Sequence, residues 1–148
     1  MSYYFSLMNY LTPSQILPHR PPILLIDEIL DHQKGECLTV KTKIEKDSIH
    51  FQGHFPENPI FPGVMQIEMM FQAAGIMVRL EQDENTTKQG RAIKVEEAVF
   101  KKEVLPNDEL TIKVEPVSSV KGFHKYKAVI KNQQDNLVAK GVVVVLVG

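Results

Sequence analysis

The chain has 148 residues, one cysteine, 43% hydrophobic residues and a formal net charge of −1. One domain with a full hydrophobic core fits that length. The near-zero charge argues against nucleic acid as partner, and the lone Cys37 excludes an intrachain disulfide framework, which suits a reducing compartment.

Residues 1–10 carry neither a basic start nor a small-residue cleavage site, and read as mature sequence ahead of a short N-terminal extension, 1–12. Thr12 and Pro13 suit the first positions of a helical turn over residues 13–18. Pro18, Pro21 and Pro22 then forbid regular helix. Ile23–Leu30 reads as a mostly buried strand, Gly35 allows a turn, and Glu36–Ile44 alternates as a second strand does. A loop rich in proline and glycine fills 46–63.

From Gly63 to about Gln82 runs the one long helix, apolar on nearly every face, so other elements must wrap it. Gln66, Glu68 and Gln72 interrupt the run and argue against a membrane span. A polar loop at 83–90 follows, then strands at Arg91–Val104, Glu109–Pro116, Phe123–Asn132 and Leu137–Val147, the last two a hairpin around residues 133–136. One buried helix beside about six strands is an α+β domain in which a curved antiparallel sheet wraps a central helix.

The stretch 53–72 concentrates the chemistry. His54 stands in a proline-broken loop; it either packs against Phe51 or Phe55, or serves as a base near neutral pH. Glu68 is a lone carboxylate on the apolar helix, and burial there would raise its pKa and let it act as an acid. Gln72, one turn on, lies on the same face and is placed to hold that carboxyl, or else bonds to backbone. Gly63 opens the helix, where unpaired N–H groups can polarise a carbonyl and a missing side chain permits close approach. Met65, Met69, Met70 and Met77 read as core filling or as the lining of an apolar tunnel, with Phe61, Ile67 and Phe71 as further candidates. His32, His50 and His124 read as surface or loop residues, and no cluster has metal-ligand spacing.

The order Gly53-His54-Phe55-Pro56, then Pro59-Ile60-Phe61-Pro62-Gly63-Val64, then Ile67-Glu68 resembles the hot-dog-fold 3-hydroxyacyl-[acyl-carrier-protein] dehydratases of fatty-acid synthesis. Leu17–Asp27 is similar to that family's N-terminal signature, and Glu96–Asp108 to the strand after its central helix. The likeness spans roughly residues 14 to 145. It implies one hot-dog domain that removes water from a (3R)-hydroxyacyl thioester to give the trans-2-enoyl product. His54 would be the general base, with its ring held by the backbone carbonyl of Ile60, and Glu68 the general acid. Gly63, Gln72, Ile60 and Phe61 would contact substrate, and His19 would be structural. Glu rather than Asp at position 68 resembles the members that dehydrate without isomerising.

The resemblance further implies a cytoplasmic homodimer, or a trimer of dimers, with each base and acid drawn from different subunits. The partner is acyl carrier protein bearing a phosphopantetheine-linked substrate, with no separate cofactor, metal, nucleic acid or membrane. Residues 88–131 hold ten Lys/Arg against six Asp/Glu, while 1–87 hold six against eleven. Lys94, Lys101, Lys102, Lys121 and Lys125 are thus candidates for docking an acidic carrier. Arg91, Val99, Glu28 and Glu103 depart from the family's usual residues, Arg91 where an aromatic often gates the tunnel, so a specialised acyl pathway is an alternative. Two rivals remain: a hot-dog acyl-thioester hydrolase, and a non-catalytic acyl or carrier-protein binding module.

Overall fold

The computed structural model describes residues 11–51, 57–82 and 90–148. His54, the N-terminal residues 1–10 and most of the polar loop expected at 83–90 lie outside them. Six strands form one antiparallel sheet: β1 (Glu28–Gln33), β2 (Cys37–Lys43), β3 (Gly90–Phe100), β4 (Glu109–Val120), β5 (Phe123–Lys131) and β6 (Leu137–Val147). Their order is β1-β2-β4-β5-β6-β3, so β1 and β3 are the edges. A helical turn, α1 (Pro13–Ile16), and one long helix, α2 (Gly63–Leu80), complete the described regular structure, with a single 3₁₀ turn at Ile49–Phe51. This is the expected architecture.

Packing explains why α2 tolerates so much apolar surface. Met69, Met70, Ala73, Ala74, Ile76 and Met77 are wholly buried. They meet a sheet face built from Leu38, Val40, Leu110, Ile112, Val114, Ala128, Ile130, Val138 and Val143. Met69, Met70 and Met77 are therefore core, while Met65 is half-buried at its edge. The alternation of these buried positions along β2 and β4 is the period of two read from the sequence. Gly141 of β6 faces Met70, since a Cβ there would sit 3.4 Å from Met70 Sδ.

Three boundaries differ from expectation, each for a physical reason. Residues 23–27 are not strand: Ile23 and Leu24 N–H close a turn onto the Arg20 carbonyl. Gln72 then supplies both a donor for the Ile23 carbonyl and an acceptor for Leu25 N–H. A side chain of α2 thus satisfies backbone that would otherwise need a neighbouring strand. β3 ends at Phe100, because Lys101 and Lys102 N–H share the Val138 carbonyl and the chain then turns until Val104 O accepts Phe61 N–H. β4 continues past Pro116 to Val120. Its pairing with β2 stops at Val114, so the proline and the bulge before Ser118 disturb no ladder on that side. The β4–β5 turn is Lys121-Gly122, both with positive φ (52° and 84°). A Cβ on Gly122 would lie 2.6 Å from the Val147 carbonyl, so glycine is required there.

Candidate active site

The first turns of α2 carry the predicted site residues onto two separate faces. On one, Glu68 lines a cavity of about 70 Å³ with Leu17, His19, Phe71, Gln72, Gly75, Gly90, Ala92 and Val145. Gln72 Nε2 donates to Glu68 Oε1 at 3.0 Å and to the Ile23 carbonyl at 2.6 Å, while its Oε1 accepts from Leu25 N–H at 2.9 Å. This amide has both anchored the carboxyl and tied α2 to the 23–25 segment. Glu68 Oε1 is thus the carboxyl oxygen held by the amide.

His19 Nε2 lies 3.7 Å from Glu68 Oε1. That is an ion-pair distance when the ring is protonated and too long for a hydrogen bond. The Leu-Pro-His-Arg signature held this neighbour, but nothing in its spacing says that it reaches α2. The carboxylate is less enclosed than its apolar helix suggests: the Glu68 side chain keeps 29% exposure in the single chain.

On the other face, Gly63, Ile60, Phe61, Gln66, Phe100, Lys101, Lys102 and Glu103 line a cleft of about 320 Å³. Pro62 caps the helix with extended φ/ψ, and the Gly63 N–H has no backbone partner among the described residues. Phe100 explains the glycine further: a Cβ at Gly63 would meet its ring at 3.0–3.3 Å. Phe61 is core, 2% exposed, and packs edge-on against Phe51. Ile67 is half-buried on α2, outside both cavities. Among the described residues, Gly63 and Glu68 thus line different cavities.

Among the basic candidates, Lys94 and Lys125 both pair with Glu96, at 3.1 and 3.5 Å. Lys101 and Lys102 are exposed along the Gly63 cleft, and Lys121 is exposed in the β4–β5 turn. Arg91 is exposed near the start of β3.

His32 corrects the sequence reading. It is not a surface residue: its side chain is fully buried and its Nε2 meets Glu81 Oε2 at 2.7 Å. Gly35 N–H donates to the same oxygen at 2.9 Å. Burial alone would raise the Glu81 pKa, but these hydrogen bonds hold the carboxyl below the usual range. His50 and His124 are half-buried, the first against the Pro22 carbonyl at 2.8 Å and the second against Ser119 Oγ at 3.2 Å.

Residues 17–146 match the model of the FabA-like domain. The chain belongs to this family. It is 39% identical over 125 residues to the 3-hydroxyacyl-[acyl-carrier-protein] dehydratase FabZ of Ruminiclostridium cellulolyticum, covering 84% of this chain and 86% of that one. The FabZ of Geotalea uraniireducens is 41% identical over 111 residues, 74% of this chain and 76% of that one. The fold is shared with the dehydratase heterocomplex ApeI:P of Xenorhabdus doucetiae, at TM-score 0.77 and 18% identity over 94% and 92% of the two chains. It is also shared with a hypothetical thioesterase with coenzyme A from Streptococcus pneumoniae, at TM-score 0.64 and 21% identity over 82% and 84%. The family and hot-dog fold expected from the motifs are thus borne out.

Proposed function

We infer that this chain is a 3-hydroxyacyl-[acyl-carrier-protein] dehydratase of fatty-acid biosynthesis, with His54 as general base and Glu68 as general acid. The observation that carries it is the 39% identity to a FabZ over 84% of the chain. The Glu68–Gln72 geometry supports the assignment of the acid.

The imidazole of His54 takes a proton from C2 of the (3R)-hydroxyacyl thioester. The Gly63 N–H stabilises the negative charge that builds on the thioester oxygen. The electron pair of the broken C2–H bond forms the C2=C3 double bond as the C3–O bond breaks. Glu68 gives its proton to the departing hydroxyl, which leaves as water. The products are the trans-2-enoyl thioester and one water, and proton transfer from imidazolium back to carboxylate resets the pair. Ile60 stands beside Gly63 as a contact for the substrate, and the buried Phe61 backs it from the core.

The complete site is assigned to a homodimer, with three such dimers able to assemble as a hexamer. Gly63 and Glu68 line different clefts of one chain, which supports a site that joins the base half of one subunit to the acid half of another. The edge strand β3 leaves Ile93, Val95 and Phe100 between 38% and 48% exposed, an apolar strip that a second copy would cover. The acyl carrier protein is assigned as partner, with Lys101 and Lys102 beside the Gly63 cleft as its docking residues. The reading places the chain in the cytoplasm; among the described residues no helix is long and apolar enough to cross a membrane. The thioesterase neighbour shows the fold alone and carries no argument for hydrolysis.

Incubation with 3-hydroxybutyryl and crotonyl thioesters of the carrier protein tests this reading. Reversible loss and gain of water is expected, and His54→Ala and Glu68→Gln should each slow turnover about 10²–10⁴-fold. Release of free thiol without hydration would mark a hydrolase. A loss below about tenfold in both variants would remove the catalytic assignment.

A further inference from the structure

The cavity that holds Glu68 has a far end, and a glycine of α2 stands there. Gly75 lies seven residues after Glu68, two turns along α2 and on the same face. Both line the one cavity of about 70 Å³. Seven residues of helix rise about 10 Å, so a cavity this small that runs from one to the other is narrow. Phe71, Leu17 and Val145 give it apolar walls. The amide of Gln72, which also lines it, is engaged by Ile23, Leu25 and Glu68.

Glycine inside a helix is less favourable than alanine. Gly63 and Gly122 have steric reasons, the Phe100 ring and the Val147 carbonyl. Gly75 differs. Among the described residues a Cβ there would meet Leu17 Cδ2 alone, at 3.4 Å, which is ordinary van der Waals contact. Alanine would fit and would favour the helix. What it would fill is the gap between α2 and Leu17 at the far end of the cavity.

The elimination sets which part of a substrate lies where. C1 stands at the Gly63 N–H and C3 at the Glu68 carboxyl. The chain from C4 onward leads away from the thioester, into the apolar continuation of the Glu68 cavity. A narrow apolar channel suits an unbranched alkyl chain. A hydroxybutyryl group ends one carbon beyond C3 and stops short of Gly75. A hydroxydodecanoyl group, nine carbons beyond C3, spans the roughly 10 Å to it.

We propose that Gly75 is a specificity residue for acyl length, the gap it leaves against Leu17 admitting the last carbons of a long, unbranched acyl chain. The inference rests on the dehydratase reading and deepens it by naming the acyl class. Gly75 touches no reacting atom.

Turnover of (3R)-hydroxybutyryl and (3R)-hydroxydodecanoyl thioesters of the carrier protein, by wild type and by Gly75→Ala, tests it. Wild type should dehydrate both. In Gly75→Ala the ratio of kcat/KM, dodecanoyl over butyryl, should fall about tenfold. The melting temperature of the variant should match or exceed wild type, because alanine favours the helix. A ratio unchanged by the substitution would overturn the proposal and leave the dehydratase reading intact. So would a wild type that dehydrates the butyryl thioester alone. A melting temperature lower by more than about 4 °C, or an altered oligomeric state in size-exclusion chromatography, would show that Gly75 serves packing and would overturn it too. Wild type that dehydrates neither thioester would remove the dehydratase reading, and this proposal with it.

Discussion

Gln72 joins Glu68 to the fold. Two hydrogen bonds run from its amide to the 23–25 segment, and the third goes to Glu68. The i, i+4 relation of Glu68 and Gln72 is legible in the sequence, because helical spacing alone puts them on one face. The other two contacts reach across 47 and 49 residues, and periodicity holds no record of such distances. Replacing Gln72 with methionine keeps the volume and strips all three bonds. Leu25 N–H and the Ile23 carbonyl are then left unpaired, which should lower stability by about 2–4 kcal/mol. The urea midpoint at fixed protein concentration reads this directly. Turnover should fall at least about tenfold through kcat, as Glu68 loses its orientation. A variant with full kcat and a normal midpoint would show that the amide neither anchors the loop nor positions the acid.

At the level of elements, strand and helix types were readable and their ends were not. Pattern recognised β2, β5, β6 and α2 to within about two residues. It missed the true start of β1 because the apolar run Ile23–Ile26 is the composition of a strand, while the backbone there bonds to a side chain. It also left His32 at the surface. The β1–β2 register sets His32 opposite Leu38, turned inward, where Glu81 just beyond α2 receives it. That triangle of His32, Glu81 and Gly35 fastens the β1–β2 turn to the end of the helix. The folded-state pKa of Glu81 lies below its unfolded value, so the unfolded chain takes up the proton first as pH falls. The stability from this group is therefore full above about pH 5 and drains as pH drops through the folded value. Thermal melts of wild type and Glu81→Gln between pH 7 and 3.5 should show wild type ahead at neutral pH and the gap closing in acid. A gap that stays constant across the series would show that Glu81 gains nothing from its two hydrogen bonds.

For the whole molecule, the hot-dog architecture follows from one apolar helix and six alternating strands, and the 53–72 motif pointed to the family. A single chain, however, divides the candidate site between two clefts. Helical spacing already sets Gly63 and Glu68, five residues apart, on different sides of α2; which neighbours build a cleft on each side is not in the pattern. In the proposed homodimer, the exposed apolar strip on β3 is the surface that a second copy would cover. In that arrangement a dimer mixed from His54→Ala and Glu68→Gln subunits holds one site with both defects and one site with none.

The most direct measurement is dehydratase turnover after co-refolding these two inactive variants in equal amounts. Shared sites predict recovery of about a quarter of wild-type activity, since half of the dimers are mixed and half of their sites are intact. Activity that stays at the level of the separate variants, with mixed dimers verified by differential tagging, would contradict a base and an acid drawn from two subunits.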